Sequence, residues 1–367
     1  MSELYEFADE IGPAKVIAIY EPRLGLRGML VVDNVALGPA IGGCRMVPDG
    51  TLEECFRLAR AMTMKNAAAG LPHGGAKSLI LADPKLPAER KETLIRAFAH
   101  AIRDIRDYIA GPDMGLNERA MAWIDDEIGR AVGRPREIGG IPLDEIGATG
   151  FGIAIAAEVA QEFCDVRLAR ARVAVQGFGA VGKHAARFLA ARGAILVAAS
   201  DSTGTIVNPQ GLDVGELVAL KDRGGSVTDL AGGQKLPRDA IVGVDCDIWI
   251  PAARPDVITM ANVDSLRAKL ILQGANIPAS AAAEQRLHER GILSLPDFIV
   301  NAGGTICAAV EYQHGSQSAA FEAIEEKIRE NTRVVLETAR RRRVAPRVAA
   351  VALARDRVVG AMTYRRF

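Results

Sequence analysis

Two lysines, Lys65 and Lys77, sit among alanines and glycines in the run MTMKNAAAGLPHGGAK. A small-residue setting brings backbone close to an ammonium and strips water from it, which favours the neutral amine. One such lysine can hold an anionic substrate while the other exchanges protons. Upstream lies GPAIGGCRM, where Ile41 precedes the pair Gly42-Gly43. Downstream, Gly111-Pro112-Asp113-Met114-Gly115 fixes a carboxylate between helix breakers. Alone, such an aspartate reads as a turn or cap residue. Beside a lysine that can lose its proton, it becomes half of a pair that moves protons on and off an amine and a water.

A second pattern, VAVQGFGAVGKHAARFL, spells G-x-G-x-x-G with Gly177, Gly179 and Gly182, and with Phe178, Ala180 and Val181 between them. It falls between an expected strand, Arg172–Gln176, and an expected helix, Val181–Arg192. The first glycine permits a tight turn and the second lets backbone approach a pyrophosphate. The third allows close helix packing, with the helix N-terminus toward the phosphates. A second strand, Ile195–Ser200, leads to Asp201, close to the place about 20 residues on where an acid bonds the adenosine ribose hydroxyls. That favours NAD and leaves NADP open.

Three further segments join these: Ala148-Thr149-Gly150, Gly274-Ala275-Asn276 and Asn301-Ala302-Gly303-Gly304. Asparagine beside glycine is ordinarily turn chemistry. Gly274 to Asn276 follows an expected strand, Leu270–Gln273, and strand C-termini in open α/β sheets line the ligand crevice. The amides of Asn276 and Asn301 would then meet nicotinamide or substrate. Ala252, beyond the strand expected over Asp247–Ile250, is another candidate cofactor contact.

The elements that must hold these residues read as α/β. Val16–Tyr20, Met29–Val32 and Ser78–Leu81 have the β-branched and apolar character of strands. Leu52–Met64 has helical spacing, with Thr51 as N-cap and Glu53 and Glu54 in its first turn. Lys91–Ile109 is expected as a helix, and Gly133–Gly152 as a hinge. The second half alternates strand and helix, with a further strand at Ile241–Val244, as in a doubly wound parallel sheet. Ser318–Arg343 is expected as a long amphipathic helix.

A length of 367 residues suggests two domains, and 49% hydrophobic residues allow a large core. Lysine plus arginine balance aspartate plus glutamate at 45 each, which gives no footprint for nucleic acid or an anionic membrane. Arg340–Arg343 reads as a solvated helix end with Pro346 as a stop. The five cysteines are scattered, without CxxC or zinc spacing, so they are expected as reduced, buried hydrophobes with no metal site. Cys307 would serve as packing. The start MSELYEFADE lacks the apolar core of a signal peptide, and no apolar run reaches the roughly 18 residues of a membrane span. A cytoplasmic location is expected.

Together these segments resemble the amino-acid dehydrogenase superfamily of glutamate, leucine, phenylalanine and valine dehydrogenases, from Val16 to about Arg357. The most specific resemblance lies in GGCRM and MTMKNAAAGLPHGGAK. It implies an N-terminal α/β substrate domain over residues 1–135 plus about 340–367, which also forms the oligomer. It implies a Rossmann-like NAD(P) domain over 136–339, with the active site in the cleft and closure excluding water. By the resemblance, Lys65 binds the substrate α-carboxylate, Lys77 is the catalytic lysine and Asp113 the catalytic aspartate. Thr149 and Asn301 lie near nicotinamide and substrate. NAD takes hydride from Cα of an L-amino acid. Water, activated through Lys77, attacks the iminium, Asp113 shuttles protons on nitrogen, and ammonia leaves a 2-oxo acid. A homo-oligomer, hexamer or octamer, is also implied.

The resemblance is a mosaic. The N-terminal region is most similar to leucine and phenylalanine dehydrogenases, whereas SDSTGTIVNPQGLD and LQGANIPAS are more similar to glutamate dehydrogenases. In glutamate enzymes a lysine precedes the glycine pair, and a serine stands three places after the residue following NAGG. Here those positions are Ile41 and, counting from Thr305, Ala308. Burying a side-chain carboxylate against them would cost several kcal/mol. With Gly111 at a third pocket position, the pocket reads as apolar and roomy unless Thr305 supplies polarity. Leucine, valine and isoleucine are therefore the expected substrates. Phenylalanine dehydrogenase, glutamate dehydrogenase and a non-enzymatic nucleotide-binding regulator are the alternatives.

Overall fold

The computed structural model describes residues 6–365. They divide into two compact units, one of residues 6–142, 305–320 and 351–365, the other of 143–304 and 321–350. The first contains β1 (Lys15–Glu21), β2 (Leu26–Asn34), β3 (Ala40–Val47), α1 (Leu52–Ala68), β4 (Gly75–Leu81), α2 (Ala88–Ala101), β5 (Tyr108–Pro112) and α3 (Glu118–Ile128). Its sheet runs β1-β2-β4-β3-β5, with β3 parallel to both β4 and β5, and β2 antiparallel to β1 and β4.

Strand alternation gives this sheet two apolar faces. Leu30, Val32 and Ile80 pack with Leu94, Ile95 and Phe98 of α2. Val31 and Leu79 pack on the other face with Cys55, Phe56 and Ala59 of α1. The start of α1 is set by Thr51, whose side chain accepts the Glu54 N–H, with Glu53 and Glu54 favourable at the positive end of the helix dipole. Asn117 caps α3 in the same way, and Gly129 ends it at φ 62°.

The second unit contains α4 (Leu143–Ile146), α5 (Ala148–Ala160), β6 (Arg172–Gln176), α6 (Ala180–Ala190), β7 (Ile195–Ser200), β8 (Thr205–Val207), α7 (Val214–Asp222), β9 (Gln234–Leu236), β10 (Ile248–Pro251), β11 (Leu270–Leu272), α8 (Ala281–Glu289), β12 (Leu293–Leu295) and α9 (Asp297–Val300). Its sheet runs β12-β11-β10-β6-β7-β8-β9, parallel from β12 through β7 and antiparallel at β8 and β9. This is a Rossmann-type sheet. The last helices are α10 (Gly303–Tyr312), α11 (Gln317–Arg342) and α12 (Pro346–Met362). Phe321 of α11 meets Phe151 of α5 edge-on at 4.9 Å, and Phe151 meets Phe188 of α6 at 5.2 Å.

Several elements differ from their sequence expectations. The helix expected over Lys91–Ile109 ends at Ala101, and Ile109 lies in β5. Pairing of Tyr108–Pro112 with Ala40–Cys44 buries this segment as a strand, a tertiary gain that outweighs local helix preference. Ile241–Val244 is not a strand. A 3-10 helix covers Arg238–Gly243, and the Ile241 carbonyl accepts the Trp249 indole N–H at 3.1 Å. The far end of the hinge expected over Gly133–Gly152 is the first turn of α5. A Cβ on Gly150 would come within 2.5 Å of the Ala185 nitrogen, so glycine there serves close packing of α5 on α6. The expected single segment 136–339 is interrupted: 136–142 and 305–320 lie in the first unit, and 340–350 in the second. Pro346 opens α12, and the break after α11 falls at Arg343, with φ 55°.

Candidate active site

In the first unit three neighbouring strands bring three charged side chains together. Lys77 lies within β4 and is buried. Asp113 follows directly on β5, and Arg45 lies on β3 between them. Lys77 Nζ donates to Asp113 Oδ2. The same oxygen accepts from Arg45 Nε at 3.0 Å, and Arg45 Nη1 donates to Glu54 Oε1 of α1. Burial pushes the Asp113 carboxyl up, but the Lys77 charge and hydrogen bond, then the Arg45 charge, outweigh it and hold the carboxyl below its ordinary value. The carboxylate is therefore ionised in this arrangement.

Supporting groups surround this cluster. Tyr108 Oη donates to the Gly42 carbonyl at 3.2 Å and lies 2.9 Å from Ser78 Oγ. Burial pushes the Cys44 and Cys55 thiols up to about 12, so neither is a nucleophile. Lys65 occupies the last turn of α1. Its neighbour Asn66 is fully buried and donates through Nδ2 to the carbonyls of Ile41, at 3.2 Å, and Gly74. Asn66 thereby ties the end of α1 to both glycine-bearing segments, a role no local pattern indicated.

Pairing of β3 with β5 aligns Ile41 with Ile109, Gly42 with Ala110 and Gly43 with Gly111. Four candidate substrate-site residues thus lie on two adjacent strands. Ile41 is 3% exposed. Thr305 and Ala308 lie on α10, and Ala308 is buried.

In the second unit the glycine loop follows β6. Gly177 has φ 92°, and the N–H groups of Gly177 and Phe178 donate to the Ser200 carbonyl at 3.0 and 2.9 Å. A Cβ on Gly182 would stand 2.0 Å from the Gly177 carbonyl oxygen, whereas one on Gly179 would meet nothing within 4 Å. Gly179 caps α6 without any side-chain acceptor, so the first-turn N–H groups remain available to an anion. This fits the pyrophosphate of NAD(P). Ala180 is exposed and Val181 half-buried, but Phe178 is 1% exposed and its side chain belongs to the core. Ala252 donates its N–H to the Gln176 carbonyl at 2.7 Å, which sets it beside the loop.

Asn276 and Asn301 meet directly. Asn301 Nδ2 donates to Asn276 Oδ1 at 3.0 Å and to the Gly274 carbonyl at 3.3 Å. Asn301 Oδ1 is buried without a protein partner, an acceptor suited to a carboxamide N–H. Thr149 lies near this segment: a Cβ on Gly304 would stand 3.2 Å from its Oγ1.

Asp201 is more occupied than its sequence position suggested. Oδ1 accepts from Thr203 N at 2.9 Å and Ser226 Oγ at 3.1 Å, and Oδ2 from Lys221 Nζ at 2.8 Å and Val227 N at 2.9 Å. These donors match the roughly four lone-pair sites of a carboxylate. Burial raises this carboxyl, but Lys221 and the backbone N–H groups prevail and hold it at about 2. A ribose hydroxyl would have to share or displace one of these donors. Among the described residues, no group of three or more His, Cys, Asp and Glu side chains could hold a metal.

Comparison with known proteins matches both parts of the chain to one family. A family model described as glutamate/leucine/phenylalanine/valine dehydrogenase matches residues 139–366, and the dimerisation-domain model of the same group matches residues 17–130. A glutamate dehydrogenase of Aeropyrum pernix is 38% identical over 356 residues, covering 90% of this chain and 85% of its own. Among solved structures, the hetero-hexameric glutamate dehydrogenase of Thermus thermophilus, in a leucine-bound form, is 29% identical with a TM-score of 0.85, covering 97% of this chain and 90% of its own. The L-tryptophan dehydrogenase of Nostoc punctiforme is 26% identical with a TM-score of 0.77, covering 98% and 99%.

Proposed function

This chain belongs to the glutamate/leucine/phenylalanine/valine dehydrogenase family, and from that premise we propose that Lys77 and Asp113 move the protons as it deaminates an L-amino acid to a 2-oxo acid and ammonia. The family uses NAD(P), and its enzymatic character removes the non-enzymatic alternative. The observation that carries the proposal is the part-buried contact between Lys77, within β4, and Asp113, directly after β5, two strands separated only by β3.

In this reading Lys65 holds the substrate α-carboxylate and fixes Cα. The glycine loop between Gly177 and Gly182, with Thr149, Ala252, Asn276 and Asn301, would hold NAD(P), which would supply the acceptor for the hydride of Cα. Lys77 as free amine takes a proton from the water that attacks the iminium carbon. Asp113, ionised at rest, accepts a proton from the substrate ammonium before hydride transfer and returns it to the nitrogen of the water adduct; the C–N bond breaks, ammonia leaves, and the hydroxyl proton passes to solvent to leave the 2-oxo acid. NAD is the proposed cofactor because Asp201 directly follows β7. Lys221 beside it is the reason to measure NADP in parallel.

The names of the curated relatives favour glutamate as the substrate, better than they favour leucine. One observation supports the apolar reading instead: Ile41 and Ala308, at the two positions where glutamate enzymes resembling this chain carry lysine and serine, are buried and uncharged. Initial rates of NADH and NADPH formation with glutamate, leucine, valine, isoleucine, phenylalanine and tryptophan decide between them. A glutamate preference establishes the first reading and sinks the pocket reasoning. In parallel, Lys77→Ala is expected to lower kcat by about 10³-fold or more; unchanged turnover would remove the catalytic assignment.

We also propose a homo-oligomer in the cytoplasm. A match to a dimerisation domain and the hetero-hexameric state of the Thermus relative support an oligomer, and the single sequence in hand is the reason to propose identical copies. No helix among the described residues is long and apolar enough to cross a membrane. Light scattering gives the copy number, and a purely monomeric mass would overturn the assembly.

A further inference from the structure

Asp113 carries two cations on one oxygen. A lysine that cycles between ammonium and amine breaks its ion pair once per turnover. A carboxylate 25% exposed and left without a cation at that moment would take up a proton or swing toward water. Arg45 is placed to prevent this. Its guanidinium stays charged at any working pH, and its Nε lies 3.0 Å from Asp113 Oδ2. Nη1 is held by Glu54 in the first turn of α1, so the fork has a fixed orientation.

Strand geometry explains how the three groups meet. Residues two apart on a strand share a face. Gly43 and Arg45 of β3 therefore share one face, and Lys77 and Leu79 of β4 share one. Leu79 packs against α1, the helix that bears Glu54. The ionisable groups that interact with Asp113 come from three strands: Lys77 from β4, Arg45 and Cys44 from β3, and Tyr108 from β5. Cys44 and Tyr108 are fully buried and stay neutral, so neither can replace Lys77 as the counter-charge.

We propose that Arg45, braced by Glu54, is a positioning residue for deamination: it keeps the Asp113 carboxylate ionised and anchored through Oδ2 while Lys77 gives up its proton. This rests on the reading of Lys77 and Asp113 as the proton-transfer pair. Arg45 touches neither substrate nor cofactor in this role.

The test is the pH dependence of kcat/KM for the full-length enzyme, with the best substrate from the panel above. Wild type is compared with Arg45→Gln, Arg45→Lys and Glu54→Gln. Removing the cation should raise the Asp113 carboxyl, so the acid limb of Arg45→Gln moves to higher pH by about 0.5–1 unit. Its kcat should fall by about 10–100-fold with an unchanged KM for the cofactor. Arg45→Lys should recover part of the shift. Glu54→Gln removes a like charge as well as the brace, so its acid limb should not rise, but its kcat should fall by a smaller factor than in Arg45→Gln; that fall decides the matter if Arg45→Gln does not fold. An acid limb superimposable on wild type in a folded Arg45→Gln, or an unchanged kcat in Glu54→Gln, overturns the proposal. Lys77→Ala and Asp113→Asn are assayed alongside. If they retain activity, the underlying reading fails; if they are inactive while the Arg45 profile is unmoved, only the role of Arg45 fails.

Discussion

A Cβ on Gly43 would stand 2.9 Å from the Nζ of Lys77 and equally close to the Cβ of Asp113. The glycine is the space in which the lysine meets the aspartate. Its neighbour Gly42 is constrained differently, since a Cβ there would lie 1.7 Å from the backbone oxygen of Ala76. Adjacent glycines thus protect a side-chain contact and a strand pairing.

Gly43→Ala is expected to fold, because the obstructing atoms belong to side chains that can give way. Its kcat should drop by about tenfold or more as the Lys77–Asp113 contact is forced open. Gly42→Ala should instead lose stability, by about 3 kcal/mol or more, through displacement of β3 from β4. Urea denaturation and steady-state rates on both variants separate the two effects, and a fully active Gly43→Ala enzyme contradicts the first.

Glu311 on α10 should prove structural. Its carboxylate is buried and accepts from Arg134 Nε at 3.1 Å, Arg134 N at 3.2 Å and Ile141 N at 3.0 Å. Glu311→Ala strands two backbone donors and leaves the Arg134 guanidinium with Asp125 alone, for an expected loss of about 3 kcal/mol. Glu311→Gln keeps an acceptor and should lose less. Equal midpoints for the two variants would show that the charge, not the hydrogen bonding, dominates.

Asp201 should make part of the stability acid-sensitive. Its carboxyl is held at about 2 in the folded chain, against an ordinary 3.8. A depressed carboxyl stabilises the fold above its unfolded value, and that contribution is lost as pH falls from about 4 through 2. Asp201→Asn should be less stable than wild type at pH 7 by about 1 kcal/mol, after allowance for screening. The gap between them should narrow below pH 3. Melting temperatures at pH 7, 4 and 2.5 check this, and a constant gap refutes it.

The thiols should be inert in the native protein. Cys44, Cys55, Cys246 and Cys307 are buried, and burial pushes each up to about 12. Cys164 is half-buried. Titration with a chromogenic disulfide at pH 8 should label at most one thiol per native chain and five after denaturation, without loss of activity. Labelling of a second native thiol would show that one of the core sites opens.

Much of the chemistry was legible in the sequence. The glycine loop, its flanking strands Arg172–Gln176 and Ile195–Ser200, the Thr51 cap and the Lys77–Asp113 pairing all depend on residue types that few other settings accept. Asp201 shows the limit. Its place at the end of β7 was readable, but its donors come from Thr203, Lys221, Ser226 and Val227, and only folding reveals that they satisfy it. Phe178 was read as part of a binding loop because of its neighbours, and the structure assigns its ring to the core.

By itself the sequence determined the candidate reactive groups and the α/β alternation, because backbone sterics and side-chain chemistry act over a few residues. The tertiary structure decided the rest. It turned Tyr108–Pro112 from an expected helix end into a strand, tied α1 to two glycine segments through Asn66, and set Arg45 and Glu54 behind Asp113. The division after Pro142 falls within the Gly133–Gly152 segment that composition marked, whereas those after Gly304, Ala320 and Ala350 fall where no linker composition stands. Each of these is a contact between segments distant in sequence, and its free energy exists only once both are in place.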